Sequence, residues 1–228
     1  MRQLHPVSFH EHFVASGTYT FFQNDVPTGD VEHWTLHEPG AGAWTIRADH
    51  DGRDGTGANW LFEGFYNCTR RRIERFDLSL YGASHTEAKF IFESDELEIS
   101  LRLDGGVKDL LDIPLPPAYV VRSPALVADG LVVGGDSRTI AAFAPALEIA
   151  AGLVQGGALE TTTVARLADE PIEVADRRLD ARVYRVHGDR GSDFTCWLDA
   201  YDIQLCHQSA SGLTAVLTQY VHRPETTS

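Results

Sequence analysis

His50 is the first residue whose type and placement could do chemistry. In the run Ala43 to Asp51 it shares a side with Trp44, Ile46 and Ala48 under period-two alternation. A neutral imidazole among apolar side chains can exchange a proton or anchor the polar end of a bound molecule. Tyr66 aligns with Trp60, Phe62 and Gly64 in the next run and brings a hydroxyl to the same side. His50 and Tyr66 are therefore the candidate catalytic residues. Trp34, Trp44, Trp60 and Phe62 are candidate walls of an apolar ligand site. Tyr119 and Arg122, beside the proline-rich stretch Ile113 to Ala118, are candidate rim residues.

Other constellations read more simply. His5, His10 and His12 lie near Glu11, but His10 and His12 are two apart, which is poor spacing for a helical ligand pair. His33 and His37 align on a strand yet stand too far apart for one ion, and no Cys-x-x-Cys pair exists. No metal and no cofactor is expected. The basic run Arg70-Arg71-Arg72 could meet an anionic ligand group, but it reads first as a solvated or ion-paired segment. Asp199 and Asp202 flank a tight connection, where Asp side chains bond their own backbone two residues on. Glycines at 152, 156 and 157 lack phosphate-cradle spacing, and there is no Gly-x-Ser-x-Gly elbow.

These residues must be positioned by strands. Gly17 to Phe22 turns through Gln23–Gly29 and returns as Val31 to Leu36; the end of the chain repeats the pattern from Phe194 to Val221. Such alternation predicts antiparallel sheet with one face buried. Strands are expected at 17–23, 30–38, 43–51, 59–72, 73–81, 86–93 and 98–103, and again from about 159 to 221. Residues 1–16 read as an N-terminal arm and 223–228 as a tail. The segment 113–157 reads as a plug or lid, because its prolines remove ladder donors. Its helix is expected at Ile140 to Leu153. The rows Trp34/Leu36, Phe76/Leu78/Leu80 and Leu97/Ile99/Leu101 face inward. Glu32, Arg47, Asp49, Glu63, Arg75, Glu98 and Arg102 are expected on the solvent side. A sheet this long buries one face only by curling. The expected fold is thus all-β, a strongly curved half-barrel or barrel around a short helical or irregular plug, in one domain spanning 17–222.

Bulk properties narrow the partners. The 228 residues carry 33 acids against 19 bases, a formal charge of −14. That disfavours nucleic acid, which requires a cationic surface, and anionic membranes. No run reaches transmembrane length without interruption. The start Met1-Arg2-Gln3-Leu4-His5-Pro6 leads into polar residues, the pattern of a chain without an export signal. Cys68, Cys196 and Cys206 read as free buried thiols, which suits the cytoplasm, although Cys196 and Cys206 fall in adjacent strands. Exposed strand edges leave a homodimer open.

The opening Gly17-x-Tyr19-x-Phe21 and the closing Trp197-Leu198-Asp199 turn into Ile203-x-Leu205 resemble the half-barrel proteins related to the bacterial outer-membrane lipoprotein carrier and its uncharacterised relatives. The resemblance implies a curved sheet wrapped on a helical plug, with an apolar ligand in the hollow. A lipocalin-like barrel is a looser likeness. Residues and resemblance together lead to the expectation of a binder of a small hydrophobic or aromatic molecule. The alternative is a cofactor-independent lyase, isomerase, cyclase or hydratase using histidine and carboxylate on a lipophilic substrate.

Overall fold

Alternating sequence becomes strand along most of the chain. The computed structural model describes residues 4–40, 42–53, 59–69, 72–106 and 108–223. The first half is a meander of eight strands: β1 (His12–Gln23), β2 (Val26–Gly40), β3 (Ala43–Asp51), β4 (Leu61–Thr69), β5 (Arg72–Tyr81), β6 (His85–Phe92), β7 (Glu96–Leu103) and β8 (Lys108–Pro114). A short β9 (Tyr119–Val121) and the helix α1 (Leu126–Val133) follow. The second half comprises β10 (Arg138–Glu148), β11 (Leu153–Arg166), β12 (Glu170–Val174), β13 (Arg177–Gly188), β14 (Phe194–Leu198), β15 (Gln204–Ser209) and β16 (Leu213–His222).

All belong to one continuous sheet. Its order runs β8-β7-β6-β5-β4-β3-β2-β1-β16-β15-β14-β13-β11-β10-β9, with β12 paired to β13. The chain thus starts at the centre, walks to one edge, crosses to the other edge, and returns. The order does not close on itself, yet β11 packs near β5, β6 and β7 from the far arm. The sheet is therefore strongly curved and unclosed. Four residues, Leu115–Ala118, separate its two edge strands in sequence. Pro116 and Pro117 among them have no N–H to donate, so they cannot continue a ladder there.

A backbone clasp joins the two arms. The Ala83 N–H donates to the Ala150 carbonyl at 3.1 Å and the Ser84 N–H to that of Ala151 at 2.9 Å. The Thr86 hydroxyl donates to the Gly152 carbonyl at 2.7 Å. Glycine is needed at the crossing. Gly152 has φ +71°, and a Cβ there would stand 2.0 Å from the Ser84 carbonyl oxygen.

The hollow is filled by α1. β9 and β10 are parallel, and a parallel pair needs a crossover, which the helix supplies. Seven of its eight residues are buried, from Val127 to Val133. It packs against β5 on one arm and β15 on the other. Burying Val127, Leu131, Val132 and Val133 contributes about 1.5–3 kcal/mol each relative to exposure. Arg138 closes the helix C-terminus by donating to the carbonyls of Val132 and Gly134. Around it the inward rows expected from alternation are buried, including Trp34, Leu36, Ile46, Tyr66, Phe76, Leu78, Leu80, Leu97 and Ile99, with Leu101 partly buried.

Several boundaries differ from expectation. The segment Ile140 to Leu153 is not a helix. It forms most of β10, the turn at 149–152 and the start of β11, with Pro145 accommodated at a register shift. Alanine content suggested helix, but pairing to β11 over Arg138–Glu148 decides for strand. The plug accordingly shrinks from 113–157 to about 115–137. The N-terminal arm ends earlier than residue 16, since β1 begins at His12 and pairs with β2 and β16.

The charged face is also less exposed than expected. Arg47 is buried beneath the arm, donating to the carbonyls of His5 and Pro6 and to both carboxylate oxygens of Glu11. Asp49 and Glu63 are buried as well. Glu32 is not on that face at all. It has the parity of Trp34 and Leu36, and its side chain points into the hollow.

Candidate functional site

β2, β3 and β4 lie side by side, and register sets Glu32 opposite His50 and His50 opposite Phe62. Directly opposed residues point to the same side of a sheet. The three therefore form a transverse row, from which Glu32 reaches the N-terminal end of α1. The His50 ring lies parallel to Phe21 at 4.2 Å between centroids and is tilted against Trp60 at 4.5 Å. Its Nδ1 is 3.9 Å from the Glu32 carboxylate, while Nε2 has no hydrogen-bond partner among the described residues. The His50 side chain is 15 % exposed, against 0 % for Glu32. Burial pushes the imidazole down to about 3, so it is neutral at physiological pH.

Glu32 is the residue that sequence reasoning missed. Its carboxylate accepts from the Leu126 N–H at 3.0 and 3.2 Å, with a further bond from Val127. It thereby caps a helix whose own N-cap, Ala125, has no side chain to do so. Burial raises its pKa to about 8 despite those donors, and the nearby Asp129 adds to the rise. A carboxyl group near neutrality thus faces a neutral imidazole. The missed signal was its parity with Trp34.

Tyr66 reaches the same helix end. Its hydroxyl lies beside the Ser123 side chain and the Ala125 backbone, and burial raises its pKa strongly, with Glu32 contributing. Glu32 is thus the link between the two: it lies 3.9 Å from His50 and acts on Tyr66, while Tyr66 stands opposite Ile46, four positions along β3 from His50.

The candidate walls separate. Trp60 and Phe62 belong to the His50 row. Trp34 packs against Tyr19 at 6.3 Å and lines a cavity of about 300 Å³ between β1, β2 and β16. Trp44 pairs with Cys68 two positions beyond Ile46 and Tyr66. Tyr119 stands at the seam, donating to the Glu93 carbonyl at 2.7 Å and accepting from Arg72 at 3.2 Å. Arg70 and Arg71 lie outside the described residues.

Arg122 belongs to the other arm. It grips Asp129 with two bonds, Nε to Oδ1 at 2.6 Å and Nη2 to Oδ2 at 2.7 Å, and lies 4.5 Å over the Phe194 ring. Burial works against its charge, but Asp129 and Glu160 more than offset that and raise its pKa. His207 stacks on Phe194 at 4.7 Å, and burial pushes it down to about 4.

Asp199 serves its turn. Its Oδ1 accepts from the Tyr201 and Ile203 N–H groups, both at 2.9 Å, and its Oδ2 from the Tyr220 hydroxyl at 2.6 Å. His5 pairs with Asp77 at 3.0 Å. Cys196 sits opposite His207 and Cys206 opposite Trp197, so the two thiols point to opposite faces. No helix among the described residues is long and apolar enough to cross a membrane.

An unclosed, strongly curved sheet around a buried helix places the chain in the β-barrel-like class. Among solved structures it is similar to the crystal structure of a β-barrel-like protein of the domain of unknown function DUF1849 from Brucella abortus. The TM-score is 0.52 at 8 % identity, covering 93 % of this chain and 98 % of that one. The likeness is one of fold. No family model matches the sequence, and no curated protein matches it.

Proposed function

We propose that the chain binds a small hydrophobic or aromatic molecule at the Trp60–His50 end of the roll. Phe21, Trp60 and Phe62 are the apolar surfaces, and His50 Nε2 is the polar anchor. The observation that carries this reading is a buried ring nitrogen without a partner, held between two aromatic rings. A buried polar atom left unpaired costs about 1–3 kcal/mol, and an incoming donor would recover that. The interior below is filled by α1, so the ligand seats at the rim rather than in a deep cup. The cytoplasm is the proposed compartment, in keeping with three free buried thiols. A carrier-like role, as in the lipoprotein carrier or lipocalins, is the version of this reading in which the ligand is handed on unchanged.

A second reading is favoured by Glu32. A carboxyl with a pKa of about 8, 3.9 Å from a neutral imidazole, suits a cofactor-independent enzyme moving protons on a lipophilic substrate. Glu32 would give the proton and His50 would take one.

Titration with neutral N-phenyl-1-naphthylamine, read by its own emission and by tryptophan quenching, tests binding. Saturable uptake weakened roughly tenfold by Trp60→Ala is expected. Uptake that is unsaturable, or indifferent to Trp60→Ala and His50→Phe, removes the proposal. Glu32→Gln separates the two readings: a binder keeps its affinity for the natural ligand, and an enzyme keeps affinity but loses turnover.

A further inference from the structure

A separate cavity of about 270 Å³ opens in the second arm, lined by Arg122, Pro124, Pro145, Leu147, Glu160 and Ser192 among others. The fold explains why it exists. β9 pairs with β10 only over Ala141–Phe143, and after the Arg122 N–H bonds the Phe143 carbonyl the chain leaves the sheet toward α1. Pro145 and the adjacent register shift keep the rest of β10 from being covered. The gap left between β10, β11 and the β13–β14 turn is the cavity.

Its floor holds an unusual carboxylate. Glu160 is only 6 % exposed, and its Oε2 accepts from the Ser192 hydroxyl at 3.0 Å. Its Oε1 has no hydrogen-bond partner among the described residues. A buried carboxylate oxygen without a donor is costly unless something else supplies one. Arg122 does not: its Nε and Nη2 are taken by Asp129, and no ion pair joins it to Glu160. Nη1 is left outside the pair. One cation therefore stands against two carboxylates, so the site favours a cationic guest. The prolines and Leu147 give it an apolar wall. The volume falls below the ~300–1,000 Å³ usual for drug-sized ligands, so the guest is small.

We propose that this cavity is a second binding site, for a small primary amine with an apolar body and a carbonyl acceptor close to its ammonium group. The ammonium donates to Glu160 Oε1, the carbonyl accepts from Arg122 Nη1, and the apolar body lies on Pro124, Pro145 and Leu147. The site is independent of the Trp60–His50 rim.

L-Leucinamide carries all three features and is the probe. Titrated into isotope-labelled protein, it should shift the backbone amide resonances of Leu147, Glu160 and Ser192 saturably. N-acetyl-leucinamide, which lacks the ammonium, should not. Glu160→Gln should weaken leucinamide binding roughly tenfold or more, the loss of one charge-assisted bond. Should that variant fold poorly, Leu147→Trp fills the cavity from its half-buried rim and must abolish the shifts. Equal shifts with the acetylated probe, no saturable shifts, or full binding by Leu147→Trp would each overturn the assignment.

Discussion

Two buried carboxylates meet different partners at α1. Glu32, from the β1–β8 arm, is held by backbone N–H donors at the helix start, with the neutral His50 ring 3.9 Å away. Asp129, on the helix itself, meets the planar fork of Arg122 from the other arm. Backbone donors leave Glu32 with a pKa raised to about 8. The guanidinium instead forms a bidentate pair, with the charge of Arg122 stabilised in return. Hydrogen bonds from a helix end do not by themselves outweigh desolvation at Glu32, whereas for Arg122 the opposite charge does. The first arm therefore holds an exchangeable proton near neutrality, and the second holds fixed charges. On the readings proposed above, acid–base work would fall to the former and recognition of a charged guest to the latter.

The largest expected effect breaks the fixed pair. Asp129→Ala strands the Arg122 guanidinium in the interior and should cost about 3–5 kcal/mol in denaturant unfolding. The double change Arg122→Met with Asp129→Leu should recover much of that loss. A single-variant loss below about 1 kcal/mol would mean that the two arms do not differ in the way described.

The clasp between the arms comes next. Gly152→Ala imposes a side chain at φ +71° and drives a Cβ into the Ser84 carbonyl. Gly42 shares the backbone condition, φ +77°, but has open space around it. Gly42→Ala should cost about 1–3 kcal/mol for conformation alone. Gly152→Ala should cost more and should speed hydrogen exchange at Ala83 and Ser84. Equal losses in the two variants would show that the clasp contributes nothing beyond turn geometry.

The proton of Glu32 gives a smaller effect with a definite sign. Its folded pKa is about 8 against 4.5 for the free group, so the folded protein holds a proton that the unfolded chain releases. Its stabilising contribution is complete below pH 4.5 and disappears as pH rises through 8. His50, lowered to about 3, and His207, lowered to about 4, act oppositely but only up to their free value of 6.5. Between pH 6.5 and 8 Glu32 acts without them. Stability should fall there by about 2 kcal/mol, at about 1.4 kcal/mol per pH unit. Glu32→Gln should flatten that limb, and an unchanged slope would place the proton elsewhere.

What the sequence revealed follows from period-two alternation. It showed the inward rows and the all-β class, because a residue's parity survives curvature. It concealed α1, whose Leu-Val-Ala-Asp-Gly-Leu-Val-Val carries no polar stripe. A helix buried on every side has no amphipathic period to read. Its Gly130 looks like a helix breaker, yet a Cβ there would approach the Asp202 carbonyl at 3.1 Å, so glycine suits the close packing on the β15 side. The alanines of β10 drew the helix assignment away because their pairing partners lie across a turn. Glu32 escaped notice because charge was weighed above parity. Arg47 looked solvated because nothing local announces that the arm at His5 and Pro6 returns across β3.

The smallest effect concerns His50, and it separates a site from a packing element. His50→Phe keeps a ring between Phe21 and Trp60 and removes Nε2, which has no partner to lose. If His50 only packs, the change is neutral or stabilises the fold by up to about 1 kcal/mol, and nothing else moves. If His50 anchors a ligand, the same gain in stability comes with weakened retention of whatever co-purifies with the wild-type chain. Thermal unfolding and native mass spectrometry on one preparation read both quantities. A loss of stability without a change in retained ligand would show that the imidazole holds a structural bond, and the contrast between an acid–base arm and a fixed-charge arm would then rest on Glu32 alone.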